Sequence, residues 1–330
     1  MAGSESQRRS NDSAAIYFIN GRYCRSMTGH SLHFGLYHHD DMESLLVADI
    51  IEKNKRSNFY YSFFLLPKPK RDAINVVYAW CRTTDDIVDE DESIKRKYVR
   101  LRLWSREFEH AIEGTSRYPL LNKLSQIIQR FNIPLNHFHD LIKGMEMDLI
   151  KTRYATFGEL REYCYRAAST VGLICTEIFG YKNEGAKEYA INLGIALQLT
   201  NILRDIKADA AKGRIYLPLE DLAQFGYTEE ELLAGTYNPR FIRLMQFECE
   251  RARSYFRQAL EHLSEEDKPL FLAAQIMEAI YFRLLQDIGR AEYNVFAKRI
   301  RLFNLTKLLI TIEVWWKNRT LRNHAITKRS

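Results

Sequence analysis

Asp85-Asp86-Ile87-Val88-Asp89 and Asn201-Ile202-Leu203-Arg204-Asp205, the second stretch continuing to Asp209, carry most of what this sequence says. Both lie in segments whose apolar residues recur at helical spacing. An α-helix turns once per 3.6 residues, so residues four apart share a face. Asp85 therefore points the same way as Asp89, and Asn201 the same way as Asp205 and Asp209. At about 1.5 Å rise per residue, the second stripe runs roughly 12 Å. Like charges at this spacing weaken a helix, so a cation is expected to offset them. Hard oxygen ligands favour Mg²⁺, which completes its shell with water and substrate phosphate. The pattern predicts two walls of a Mg²⁺–diphosphate site. A solvated helix face is the ordinary alternative for one such pair. Against it stand the apolar flanks Val76, Val77, Ala79 and Trp80, with Arg82 one turn before Asp85. The run Leu193, Ile195, Ala196, Leu197 and Leu199 likewise reads as a buried helix leading into the second stripe.

The chain has 330 residues, 46% of them hydrophobic, which supports a sizeable core. With 7 Pro and 15 Gly, few breakers interrupt long helices. No period-2 pattern, Asn-Gly hairpin signal or internal repeat is present. Met1 to Asp12 is polar and offers no signal-peptide core, and no apolar run reaches the 18 or so residues of a membrane span. Of 5 Cys, none forms a C-x-x-C pair, and Cys81, Cys164 and Cys175 sit in apolar helical contexts. Reduced thiols in a cytoplasmic protein are expected.

Helices are predicted over Asp41 to Lys55, Lys70 to Asp89, Ile94 to Glu113, Pro119 to Phe131, Pro134 to Ile150, Phe157 to Phe179, Glu184 to Asp209, Pro239 to His262, Glu265 to Tyr293 and Leu302 to Arg319. No linker divides them, so one all-α domain is expected. Residues 1–40 form a polar extension containing His30, His33, His38 and His39, which reads as a surface loop rather than a metal site. Ala167-Ala168-Ser169-Thr170-Val171-Gly172 is rich in small residues, which suits either close helix packing or space beside a ligand. A di-iron bundle fails on ligand count, because Glu107-x-x-His110 stands alone.

Several blocks resemble the phytoene/squalene synthase family: Ser57-Asn58-Phe59-Tyr60-Tyr61, Tyr78 to Arg82, Asp85 to Asp89, Gly144 to Leu149, Tyr163-Cys164-Tyr165, and Gln198 to Asp209 followed by Gly213-Arg214-Ile215-Tyr216-Leu217-Pro218. They fall in family order between about Lys55 and Arg301. The resemblance implies a single-domain, all-α isoprenoid-synthase fold with a central apolar cavity, spanning residues 41–301. It implies head-to-head joining of two identical allylic diphosphates through a cyclopropyl diphosphate, with release of diphosphate. By the same resemblance, Asp85, Asp89, Asp205 and Asp209 hold Mg²⁺ with Asn201 beside them, and these aspartates and Tyr163 form the catalytic set. Arg82, Arg204 and Arg214 match diphosphate-contacting arginines. Tyr78, Gln198 and Tyr216 match substrate-lining positions, with Tyr165 a further candidate. Ser57 and Asn58 fall near the diphosphate of such enzymes. Many members carry Tyr where this chain has Arg166.

The chemistry wants these types. Diphosphate leaves well only when its charge is neutralised, and arginine's planar fork matches its oxygens. The allylic cation left behind needs a dry cavity with aromatic faces. Two endings stay open: phytoene from geranylgeranyl diphosphate, or presqualene diphosphate and squalene from farnesyl diphosphate. NADPH is implied only for squalene. Glu177-Ile178-Phe179-Gly180-Tyr181 resembles bacterial hopanoid-type members and leans to the shorter substrate. Alternatives are a class I terpene cyclase, which shares the metal-motif spacing, and a non-catalytic membrane-associated scaffold.

The net charge is +6, yet Ala297 to Ser330 holds nine basic residues against Glu313 alone, leaving the rest of the chain net acidic. No nucleic-acid motif accompanies them, so nucleic acid is not an expected partner. Within residues 302–330, Leu305, Leu308, Leu309, Ile312, Trp315 and Trp316 recur at helical spacing beside Lys307, Lys317 and Arg319. This segment either packs on the core or places the protein peripherally at a membrane.

Overall fold

Every regular element in residues 62–327, the part of the chain this computed structural model describes, is helical. The expected helix at Asp41 to Lys55, the four-histidine stretch, and Ser57 and Asn58 lie outside the described residues. The chain divides into two compact units, one ending at Arg130 and the other beginning at Phe131. No Pro- or Gly-rich linker marks the division, which falls at the last residues of a helix.

In the first unit, α1 (Lys68–Asp89) starts behind Pro67 with a proline in its first turn, where a missing N–H costs nothing. Its buried face (Ile74, Val77, Trp80, Cys81, Thr84, Ile87 and Val88) packs on α2 (Ile94–Ile112). Trp80 meets Phe108 at 5.7 Å between ring centroids, and Trp104 Nε1 donates to Thr84 Oγ1 at 2.9 Å. Lys97 Nζ donates to Val88 O at 3.0 Å, satisfying a carbonyl at the end of α1. α3 (Pro119–Phe131) completes this unit.

The second unit is built on α7 (Gly185–Ala210), preceded by α4 (Leu135–Ile150), α5 (Phe157–Cys164), a π-helical turn (Tyr165–Ser169) and α6 (Thr170–Phe179). Two short helices missing from the sequence reading, α8 (Leu219–Gln224) and α9 (Glu229–Leu233), follow Pro218 and a Thr228/Glu231 capping box. α10 (Pro239–His262), α11 (Leu272–Arg290) and α12 (Asn304–Thr327) complete the chain. α7 is buried nearly all round, packed against α10, the π-turn, α6 and α11.

The predicted single helix from Phe157 to Phe179 is interrupted by that π-turn. The small residues there serve close approach. Ser169 Oγ donates to Ile191 O at 2.7 Å, and a Cβ on Gly194 would stand 2.5 Å from the Ser169 Cα. The predicted start of α11 at Glu265 is instead a turn around Asp267, whose carboxylate accepts from the Lys182 and Asn183 backbone N–H groups. After α11, Glu292 and Tyr293 take left-handed φ values of 53° and 65°, and the chain turns back across α7. Lys207 Nζ donates to Phe296 O at 2.6 Å, and Phe296 packs 4.6 Å from Phe241.

α12 packs on α11 with its polar side. Among its residues up to Arg319, Lys307, Thr311 and Asn318 are buried, and Asn318 Nδ2 donates to Gln275 Oε1 at 3.2 Å. Leu305, Leu308, Leu309, Ile312 and Trp316 face outward, Trp316 being 61% exposed.

Replacing Gly194 by Ala forces its Cβ into Ser169, and overpacking of this kind costs about 1–3 kcal/mol. Denaturant melts should show Gly194→Ala destabilised by that amount. An unchanged midpoint would mean that the α7–π-turn approach is looser than described.

Candidate active site

On α1, Asp85 is buried and Asp89 half-buried on the same side. Arg82 reaches both acidic neighbours, 3.6 Å to Asp85 Oδ2 and 2.6 Å to Asp86 Oδ1. Burial opposes the Arg82 charge, but Asp85 and Asp86 outweigh it and hold the guanidinium above its ordinary pKa. Burial is also the main cause pushing the Tyr78 phenol up to about 12, so it stays protonated at neutral pH. Asp86 was not assigned a role from the sequence, yet it takes the shorter of the two ion pairs.

On α7, Gln198, Asn201, Arg204, Asp205 and Asp209 are all buried. A cluster of this polarity inside a helix bundle needs compensation. Asp205 receives it from two arginines. Arg204 Nε donates to Oδ1 at 3.1 Å; Arg299 Nε donates to Oδ1 at 2.8 Å and its Nη2 to Oδ2 at 3.1 Å. Burial alone would raise the Asp205 pKa, but the two guanidinium groups overcome it and bring it below the usual value. Arg299 lay in what read as a basic tail, and no local pattern separates it from its neighbours. Only the turn at Glu292 and Tyr293 reveals its place. Tyr281 of α11, also missed, lies beside Asn201.

Asn201 Oδ1 is buried with no hydrogen-bond partner, on the stripe it shares with Asp205 and Asp209. That is a suitable position for an oxygen ligand of Mg²⁺. Among the described residues, no three His, Cys, Asp or Glu side chains converge into a complete metal cage. Mg²⁺ fits such a site, since it takes one or two carboxylates and draws its remaining ligands from water and phosphate.

Beyond Asp209, the chain turns at Gly213 and returns through Arg214 and Tyr216. Arg214 Nη1 donates to Asp148 Oδ2 at 3.2 Å and its Nη2 to Asp148 O at 3.1 Å, while the Tyr216 hydroxyl donates to Asp148 Oδ1. Tyr163 stacks on Tyr216 at 5.4 Å, and Tyr154 stacks on Tyr216 at 5.8 Å and meets Tyr163 in a tilted contact at 5.6 Å. Burial raises the pKa of all three phenols. The second unit therefore brings Arg204, Asp205, Arg214, Tyr163 and Tyr216 into two linked polar groups, with Tyr154, Asp148 and Arg299 as unforeseen members. Tyr165, by contrast, lines an open groove of about 420 Å³ with Arg161, Glu162, Ile191 and Ile195. Arg166 pairs with Glu162 and Asp140, carboxylates outside both acidic motifs.

The squalene/phytoene synthase family model matches residues 53–306. A 15-cis-phytoene synthase of Synechococcus elongatus is 38% identical over 257 residues, covering 73% of this chain and 82% of that protein. A chloroplastic phytoene synthase of Zea mays is 36% identical over 257 residues, covering 76% of this chain and 64% of its own. Among solved structures, a dehydrosqualene synthase superposes with a TM-score of 0.75 at 27% identity, covering 85% of this chain and 98% of its own. A squalene synthase of Alicyclobacillus acidocaldarius gives 0.69 at 29% identity, covering 77% and 94%.

The Arg299–Asp205 pair has a pH signature. A carboxylate whose folded pKa is depressed adds stability above its unfolded pKa of about 3.9 and loses it as pH falls through the folded value. In metal-free protein, Arg299→Gln should therefore cost about 1–3 kcal/mol at neutral pH, the range for a hydrogen bond to a charged group. The gap from wild type should shrink below about pH 4. Denaturant melts across pH check this, and a gap that stays constant to pH 3 would contradict the pairing.

Proposed function

The chain belongs to the squalene/phytoene synthase family and is a prenyltransferase that joins two prenyl diphosphates head to head; we propose that its substrate is geranylgeranyl diphosphate and its product phytoene. Relatives named phytoene synthase at 36–39% identity support the longer substrate, against 27–29% for the squalene-type structures. The Glu177 to Tyr181 stretch does not oppose it. Gly180 caps α6 and Phe179 packs on Phe271, so the stretch is explained by helix termination.

The observation that carries the metal reading is the buried Asn201 Oδ1 on the stripe of Asp205 and Asp209. Asp85 and Asp89 on α1, and Asn201, Asp205 and Asp209 on α7, would hold Mg²⁺. When bound, Mg²⁺ neutralises charge on the departing diphosphate. Arg82 in the first unit, and Arg204, Arg214 and Arg299 in the second, would add fixed positive charge for diphosphate, and Gln198, with Ser57 and Asn58 by the family resemblance, would be polar substrate-binding residues. Tyr78, Tyr163 and Tyr216 keep water from the allylic cation and offer it aromatic faces. The double bond of the second substrate attacks that cation, and loss of a proton then closes the ring to a cyclopropyl diphosphate. A second ionisation, rearrangement and proton loss then give phytoene, an ending that needs no NADPH. The catalytic domain would span residues 41–301, after the extension at 1–40.

The same reading places the enzyme in the cytoplasm, peripherally on a membrane. The cysteines at 81, 164, 175 and 249 are free, as a reducing compartment requires. No helix among the described residues is long and apolar enough to cross a membrane. The outward apolar face of α12 lies beside exposed Lys298, Arg301, Lys317 and Arg319, which suits an anionic lipid surface and a hydrocarbon product. Segment 302–330 is then the contact element.

Diphosphate release should stop in excess chelator, and Asp209→Asn should slow it on the order of 100- to 1000-fold. Arg214→Lys should also be poorly tolerated, because the charge stays but the planar fork is lost. Full turnover in chelator would sink the metal reading.

Liposome sedimentation addresses the membrane. The full chain should pellet with anionic vesicles at low salt and release as salt rises, because each basic residue near the surface contributes about 1 kcal/mol. Ile312→Glu with Trp316→Glu should stay in the supernatant while remaining folded. Equal pelleting of both proteins would remove α12 from the contact.

A further inference from the structure

Asp148 is the point on which two functional side chains converge, and no role attaches to it so far. It is 3% exposed, in the last turns of α4. A carboxylate buried this deeply is tolerated only when well bonded. Its bonds come from one direction: Arg214 donates to Oδ2 and to the backbone carbonyl, and the Tyr216 hydroxyl donates to Oδ1. Tyr163 in turn hydrogen-bonds to Tyr216 and stacks on its ring. The chain from Tyr163 through Tyr216 thus ends on one buried anion, which also fixes a guanidinium.

Two consequences follow from elementary chemistry. Arginine presents its donors in a rigid planar fork, so two bonds to one residue set the plane in which the remaining N–H groups point. A phenol that donates to a carboxylate keeps its proton at rest and is held in one orientation. Its ring also becomes more electron-rich, which strengthens the attraction of its face for positive charge.

We propose that Asp148 is a positioning residue for the coupling reaction: it fixes the Arg214 fork toward diphosphate and holds the Tyr163–Tyr216 pair as donors with their ring faces turned to the cation. Asp148 touches neither substrate nor metal in this arrangement; it acts through Tyr216 and Arg214. The inference rests on the roles proposed above for Arg214 and Tyr163. Arg214 and Tyr216 are separated by one residue, so a single anchor orients both.

The test compares wild type, Asp148→Asn, Tyr216→Phe and the double variant, using geranylgeranyl diphosphate and farnesyl diphosphate with Mg²⁺. Asp148→Asn keeps the shape and loses the charge. It should lower kcat about 10- to 100-fold, the range for losing an outer partner that orients a working group, and raise KM through Arg214. Tyr216→Phe should lower kcat with little change in KM. The double variant should be no slower than the worse single one, because one pathway has already been cut. Losses in kcat that multiply, or wild-type kinetics in Asp148→Asn, would overturn the proposal. A readout independent of turnover is the tyrosine Fermi doublet in ultraviolet resonance Raman spectra. Wild type minus Tyr216→Phe should show a strongly donating phenol, and that signature should be lost in Asp148→Asn. If wild type is inactive yet shows the signature, the functional reading fails while the anchor stands. If the signature is absent, the anchor itself fails. Should Asp148→Asn not fold, Tyr216→Phe alone still decides, since wild-type kcat in that variant overturns the proposal.

Discussion

The carboxylate of Asp205, buried in the middle of α7 and gripped by Arg204 and Arg299, is the constraint on which the second unit depends. Desolvating an ion without partners is prohibitive, so the helix that carries Asp205 must be accompanied by cations wherever it is buried. One cation comes from the adjacent position on α7. The other needs the chain to leave α11, pass two residues in left-handed conformation, and lie back across α7. Such backbone conformations cost about 1–3 kcal/mol each and persist only when the surroundings over-determine them. The Lys207 bond to Phe296 O and the Phe241–Phe296 contact supply that determination.

The same logic explains why α7 shows so little sidedness. Its apolar residues are buried on one side by α6 and the π-turn and on another by α10, while its polar stripe is buried too. From Tyr189 to Ile206 this helix has no exposed residue, so every charge on the stripe there has to be matched inside the molecule or by a ligand. Arg204 and Arg299 provide that match for Asp205.

Much of this was legible in the sequence, for reasons that can be stated. The two acidic stripes stand out because helical period four is written directly in residue numbers. Pro67, Pro119, Pro134 and Pro239 mark helix starts within a residue or two, since proline is tolerated only there. What was not legible depends on contacts distant in the chain. Arg299 and Asp205 are 94 positions apart, and Asp148 and Tyr216 are 68 apart, so no window of sequence holds both members. The π-turn left no signal because its small residues also suit an uninterrupted helix. The basic tail was read as one patch, whereas Arg299 belongs to the acidic stripe and Lys307 is buried. On α12 the amphipathic spacing was legible but not its sense. The polar face turns inward, where Asn318 meets Gln275 of α11.

The account turns on one chemical outcome, the joining of two identical chains at their diphosphate-bearing carbons. The most direct measurement is the mass and connectivity of the product when the full chain is incubated with geranylgeranyl diphosphate and Mg²⁺ alone. The account predicts a forty-carbon hydrocarbon linked 1′-1, formed without NADPH and with two diphosphates released per product. A twenty-carbon cyclised hydrocarbon or alcohol as the only product would contradict it.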